Sequence, residues 1–238
     1  MFAKIVLYAS THKLSAGIWR WGKLRCYGDF VRGEVGRRQF GQFLQAHART
    51  TMYLLADTVE EDFRLETLPR VRGSTRRALL ARKLEQYYRN TPFRTACFIG
   101  RDRQHERHGD RYLFAALTAT ESLQDWLAIM TERRVRLKGI YLLSMLSETL
   151  TRHLKFTAPH LLLCERLESG LRQSYLHQGR LLFSRLVLMP PVTQYELDAF
   201  YTTETEKTRL YLVSQGLIGH DTVLSLLWPT LNEGSERC

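Results

Sequence analysis

The stretch His160 to Leu188, HLLLCERLESGLRQSYLHQGRLLFSRLVL, reads as three consecutive β-strands joined by tight turns. A buried run, HLLLC, is followed by GLRQSYLH, by the turn Gln178-Gly179-Arg180 and by LLFSRLVL, with apolar runs and turn residues where a meander needs them. The N-terminus repeats the plan. There AKIVLYAS is followed by LSAGIWRW, the turn Gly22-Lys23 and LRCYGDFV, so that Gly22 stands where Gly179 stands. Allowing a one-residue slip in the first loop, Ile5 falls opposite Leu162, Leu14 opposite Leu171, Ile18 opposite Tyr175 and Leu24 opposite Leu181. Two such meanders, each opening one half of the chain, predict a two-lobed α/β protein built by duplication, with the meanders in separate, similarly ordered sheets.

A chain of 238 residues, 44% hydrophobic and 25% charged, is long enough to bury a substantial core and has the composition of a soluble globular protein. No apolar run approaches the ~20 residues of a membrane helix. The start, MFAKIVLYAS, lacks a signal peptide's apolar core and cleavage site, so a cytoplasmic location is expected. Cys26, Cys97, Cys164 and Cys238 are scattered without a CxxC pair, and buried free thiols are expected. The net charge of +11 attracts nucleic acid, anionic lipid or an acidic protein without choosing among them. Much of it lies between Arg70 and Arg111, but an arginine-rich composition also arises from genomic background. It becomes a binding footprint only when one face concentrates it.

Outward from the first meander, RQFGQFLQAHA (Arg38 to Ala48) places Phe40, Phe43 and Leu44 at helical spacing, and TTMYLLADTV has the continuous apolar centre of a strand covered on both faces. Strand, helix and strand on a meander give an RNase H-like plan. After Glu60-Glu61-Asp62, the residues Phe63, Leu65 and Thr67 alternate until Pro69. Ser74 is the expected N-cap of RRALLARKLEQYYRN, whose Leu79, Leu80, Leu84, Tyr87 and Tyr88 form one apolar stripe, while Arg76, Arg77, Arg82 and Lys83 occupy other positions. Thr91-Pro92 stops this helix. RTACFIGRD and DRYLFAALTA form a hairpin across RDRQHERHGD, and ESLQDWLAIMTERR, KGIYLLS and SMLSETLTRHL follow as helix, strand and helix. The expected organisation is a first lobe of residues 1–155 carrying a βαββ insertion at about 60–119, and a shortened second lobe of residues 156–238. That second lobe holds the meander, a helix from Gln194 to Gln215 closed by Gly216, a strand in HDTVLSLLWP and a polar tail. It is either reduced or cut from a longer chain.

This order resembles the actin-like ATPase superfamily, and within it the bacterial branch of the pilus assembly protein PilM, the type II secretion protein GspL and the division protein FtsA. EDFRLETLPRVRGSTRRALLARKLEQYYRNTPF is similar to the strand, Leu-Pro (here Leu68-Pro69) and helix of their inserted subdomain. LQDWLAIMTERRVRLKGIYLLSMLSETL is similar to their helix, short turn and strand, in which a residue pair corresponding to Leu137-Lys138 precedes a strand and helix. The resemblance implies a two-lobed actin-like fold of duplicated RNase H-like halves, with the βαββ insertion in the first lobe.

ATP-hydrolysing members carry glycine-bearing phosphate hairpins, typically Asp-x-Gly, after the first strand of each meander, where backbone N–H groups cradle phosphate and the carboxylate holds Mg²⁺. Here the first loop is Ala9-Ser10-Thr11-His12-Lys13 and the second Glu165-Arg166-Leu167-Glu168-Ser169-Gly170, neither with Asp-x-Gly. Ser10, Thr11, Lys13, Ser169 and Gly170 remain the candidate anion contacts, against the plainer reading of solvated hairpins. Two-metal nucleases need clustered carboxylates on the core strands, and IVLYAS, MYLLAD and GIYLLS offer only Asp57. His105 and His108 read as a solvated turn rather than a metal pair, Cys164 has no histidine partner for nucleophilic chemistry, and Trp19 with Trp21 share a strand face expected to pack on a helix.

The resulting expectation is a non-catalytic actin-like scaffold without cofactor or metal, serving a pilus or secretion assembly in the cytoplasm and reaching the inner membrane through a protein partner. Arg76, Arg77, Arg82 and Lys83 are the expected partner contacts, a homodimer is left open, and nucleic acid is not the expected partner. The alternatives are a nucleotide-binding switch of the same fold and a nucleic-acid binder using the basic insertion.

Overall fold

The computed structural model of the chain describes residues 3–102, 109–118, 120–190 and 194–229. By contacts it falls into two units, the first ending at Leu146 and the second beginning at Ser147. The first unit runs β1 (Lys4–Ala9), β2 (Lys13–Arg20), β3 (Lys23–Val31), α1 (Glu34–Ala46), β4 (Thr51–Ala56), β5 (Glu61–Pro69), α2 (Gly73–Tyr87), β6 (Arg94–Asp102), β7 (Gly109–Leu117), α3 (Glu121–Glu132), β8 (Arg136–Leu142) and a 3-10 turn at Leu143–Leu146. The second runs α4 (Ser147–His153), β9 (His160–Leu167), β10 (Gly170–His177), β11 (Arg180–Val187), α5 (Gln194–Ser214) and β12 (Ser225–Leu227).

The two meanders lie in separate sheets of matching order, β3-β2-β1-β4-β8 and β11-β10-β9-β12. In each, the first strand pairs antiparallel with the second and parallel with the strand that follows the helix. Ile5 faces Ile18 across the first hairpin and Leu162 faces Tyr175 across the second, so the residues matched in sequence keep one constant offset and need no slip. Both second hairpins turn through two left-handed residues, Trp21 (φ 55°) with Gly22 (φ 76°) and Gln178 (φ 49°) with Gly179 (φ 72°). This is the mirror-image turn whose twist matches that of antiparallel strands. Trp21 therefore belongs to the turn rather than to a strand.

In the first unit α1 and α3 cover one face of the five-stranded sheet. Phe30, Phe40, Phe43 and Trp126 fill the interface with Ile5, Leu7, Leu14, Met52 and Leu54, and Phe40 meets Trp126 edge-on at 5.5 Å. β4 alternates, with Met52, Leu54 and Ala56 fully buried but Tyr53 and Leu55 only half-buried. The expectation of cover on both faces thus holds for one face only. α1 begins before its apolar spacing does, because Gly33 takes the N-cap position and Glu34 the first turn. The insertion is a sheet of order β5-β7-β6 with α2 packed on Leu68, Tyr112, Phe114 and Ala116 through Leu79, Leu80, Leu84 and Tyr87. Ser74 does not cap α2; Arg72 holds that position without a side-chain hydrogen bond.

The sequence ends the first lobe at residue 155, whereas contacts group α4 with the second unit. There Glu148 accepts from the Leu181 amide at 2.9 Å and pairs with Arg180 at 3.0 Å. β10 is buried along almost its whole length. On its α5 face lies a polar layer in which Gln173 accepts from Thr208 at 2.5 Å and from Arg185 at 3.3 Å and donates to Thr205 at 3.3 Å. Arg185 also pairs with buried Glu204, which Lys207 bridges at 2.7 Å. Cys164 lies buried beside Gln173 as a free thiol, and Cys97 is half-buried and in no disulfide. Cys26 corrects the thiol expectation, being exposed on β3 and disulfide-bonded. β12 is shorter than the apolar run of HDTVLSLLWP. Among the described residues no helix is long and apolar enough to cross a membrane.

Gly170 (φ 143°) lies so close to β11 that a Cβ there would sit 2.2 Å from the Val187 carbonyl oxygen, whereas a Cβ on Gly179 would meet nothing within 4 Å. Gly179→Ala should therefore cost only its left-handed backbone, about 1 kcal/mol. Gly170→Ala should cost about 3 kcal/mol by adding overlap to backbone strain; equal losses in chemical denaturation would refute this account. Burial alone would raise the Glu204 carboxyl, but the Lys207 hydrogen bond and the Arg185 and Lys207 charges hold it below its ordinary value of 4.5. Its contribution is full above that value and is lost as pH falls through the lowered folded value. Stability measured between pH 6 and 3 should fall less steeply in Glu204→Gln than in the wild type.

Candidate functional site

The first hairpin tip is closed by its own groups. The Ser10 amide donates to the Lys13 carbonyl at 3.0 Å around Thr11 and His12. Buried Ser10 Oγ accepts from the His12 and Lys13 amides, each at 3.3 Å. Three backbone N–H groups near the position of a phosphate cradle are thereby engaged inside the loop. The Lys13 ammonium is 2.5 Å from Asp29 Oδ2, and Ser15 donates to Asp29 Oδ1 at 2.6 Å. Burial pushes the Asp29 carboxyl up, but the Lys13 and Ser15 hydrogen bonds and the Lys13 charge hold it below its ordinary value. Lys13 thus serves the β2–β3 hairpin.

At the second tip Glu168 and Ser169 turn the chain, Ser169 is buried, and Gly170 lacks a side chain because β11 leaves no room for one. Each set of candidate anion contacts is gathered at its own tip, one per unit. Asp57, at the end of β4, is buried and accepts from Tyr8 Oη at 2.6 Å. Among the described residues no cluster of three His, Cys, Asp or Glu side chains could hold a metal, and His105 and His108 lie outside those residues. Burial pushes the Cys164 thiol up to about 12, which leaves it a poor nucleophile.

The cationic set on α2 divides. Arg76, Arg77 and Arg82 are exposed and have no acidic partner among the described residues. Lys83 is half-buried, bound to Glu66 at 2.6 Å and to Tyr87 Oη at 2.9 Å, and these bonds raise its pKa. Tyr87 also donates to Glu66 and lies under Arg64, 4.4 Å from its ring centre. Lys83 and Tyr87 therefore fix α2 to β5, in keeping with a core or rim role for the tyrosine pair. Arg94 closes the same, C-terminal end of α2 by donating to the Tyr88 carbonyl at 2.6 Å. Trp19 and Trp21 are exposed at 37% and 68%, which corrects their expected burial against a helix.

A second feature was not legible in the sequence. On the insertion-sheet face opposite α2, a mainly apolar groove of about 570 Å³ is lined by Phe93, Thr95 and Cys97 on one side and by Ile140, Tyr141 and Met145 on the other. It runs between β6 and β8, each the terminal strand of its sheet among the described residues. Each strand can be read from its apolar residues. That a face of the insertion sheet and the terminal strand β8 line one space depends on strand orders that no local pattern encodes.

No family model matches the chain, and no curated protein matches it. Solved structures do. A Bacteroides thetaiotaomicron protein with an actin-like ATPase fold and unknown function superposes with a TM-score of 0.52 at 9% identity, covering 98% of this chain and 83% of that one. The PilM-PilN type IV pilus biogenesis complex gives 0.59 at 12% identity, covering 94% and 81%. The chain has an actin-like ATPase fold, as its resemblance implied.

With the hairpin amides engaged internally, saturating Mg-ATP should shift the melting temperature by no more than about 1 °C, since only a ligand held by the native state stabilises it. Saturable micromolar binding with phosphate release would overturn this. Arg76→Glu with Arg77→Glu should leave stability within about 0.5 kcal/mol of the wild type. Lys83→Ala should cost about 1 kcal/mol, because it leaves Glu66 Oε1 without its cation. Thermal melts of the two variants check the division of the set.

Proposed function

We propose that the chain is a non-catalytic actin-like interaction module of a bacterial pilus or secretion assembly, cytoplasmic and brought to the inner membrane by a protein partner. The observation that carries this reading is the groove between β6 and β8, where Phe93, Ile140 and Met145 offer apolar contact to an extended segment and β8 is the terminal strand of its sheet among the described residues. The fold shared with the PilM-PilN structure and the internally bonded first hairpin support it. In this reading the units act as two RNase H-like lobes, about residues 1–155 and 156–238, the second shortened. The exposed Arg76, Arg77 and Arg82 supply a separate contact for an acidic patch on the partner, while Ser10, Thr11, Lys13, Ser169 and Gly170 are assigned no ligand.

A photoreactive phenylalanine analogue at Tyr141, which is 41% exposed in the groove, tests the reading in the native host. The expected adduct joins this position to a cytoplasmic segment of an inner-membrane pilus or secretion protein, and Thr95→Arg should reduce it several-fold. An adduct to a second copy of the chain or to nucleic acid, or none at all, would replace the proposed partner. Recruitment undiminished in Arg76→Glu with Arg77→Glu would remove α2 from the interface.

A further inference from the structure

Among the described residues the two sheet orders differ at one end. In the first unit β4 is followed outward by β8, while in the second the equivalent strand, β12, ends its sheet among the described residues. Beside that edge lies a groove of about 630 Å³ between β12 and α5, lined by Asp198, Tyr201, Thr205, Glu206, Leu226 and Trp228. Leu226 and Trp228 share the α5 face of the strand by its two-residue period, and they remain 45% and 37% exposed. The Trp228 ring stands 5.0 Å from that of Tyr201. Although the chain carries +11, the groove lining has two carboxylates and no lysine or arginine. Glu206 has only a marginal contact with Arg209, at 3.5 Å.

We infer that this groove docks a basic, extended segment of a protein partner, which adds to the edge that β12 presents among the described residues. Backbone pairing supplies the register, Leu226 and Trp228 take the apolar side chains, and Asp198 and Glu206 with the two rings take an arginine or lysine. Acidic lining in a strongly cationic protein makes the choice of partner specific. Non-specific electrostatic binding to this chain favours acidic ligands, so preference for a basic one has to come from the local groove. The site is independent of the β6–β8 groove.

The test uses the full chain and the capped peptide Val-Thr-Arg-Thr-Val-Thr-Lys, whose apolar and basic side chains share one strand face, with two controls: the same peptide carrying glutamate at its basic positions, and the same peptide N-methylated at alternate amides. The basic peptide should bind at least about tenfold more tightly than either control, and it should slow hydrogen exchange at Ser225–Leu227. Asp198→Lys with Glu206→Lys should reverse the preference toward the glutamate peptide. The milder Asp198→Asn with Glu206→Gln should shift it the same way by less. Absence of binding, equal binding of the N-methylated peptide, or an unchanged preference in the charge variants would each overturn the inference.

Discussion

Each half of this molecule depends on the first strand of its meander being hydrogen-bonded along both edges. β1 lies antiparallel to β2 and parallel to β4, and β9 lies antiparallel to β10 and parallel to β12. A strand held on both edges fixes the register of its neighbours, and in β1, where buried and less buried residues alternate, a slip of one residue would turn the apolar set to the wrong face. Ile5, Leu7 and Ala9 are fully buried in the first unit and Leu161 to Cys164 almost fully in the second. The left-handed turns at Trp21-Gly22 and Gln178-Gly179 then fix the pairing of the second and third strands in both units.

On this common frame the two units solve burial differently. The first uses an apolar and aromatic layer beneath α1 and α3. The second places Gln173, Arg185, Glu204, Thr205 and Thr208 between its sheet and α5, where each polar group finds a partner. Such a layer stabilises less per area than hydrocarbon, but it disfavours shifted packings of α5, because a displaced helix would leave buried groups unpaired.

The chemistry expected of an actin-like fold depends on backbone donors at the hairpin tips. Here Ser10 Oγ takes two of those donors, Lys13 is paired with Asp29, and Gly170 is required by the approach of β11. Ser10, Lys13 and Gly170 thus have structural roles within their hairpins.

The sequence alone determined the meanders, the order of helices and strands, the insertion and the equivalence of Gly22 with Gly179. Each of these is encoded within a few residues, by apolar period or by the need for a left-handed turn. It also separated Tyr88 as a core residue from the exposed Arg76 and Arg77. Only the tertiary structure decided that Lys83 holds α2 to Glu66, that Trp19 and Trp21 are exposed, that α4 packs with the second unit, and that β6, β8 and β12 end their sheets among the described residues. Those properties depend on which distant element covers which face, and that is fixed by contacts between residues far apart in the chain, of which the local pattern carries no record.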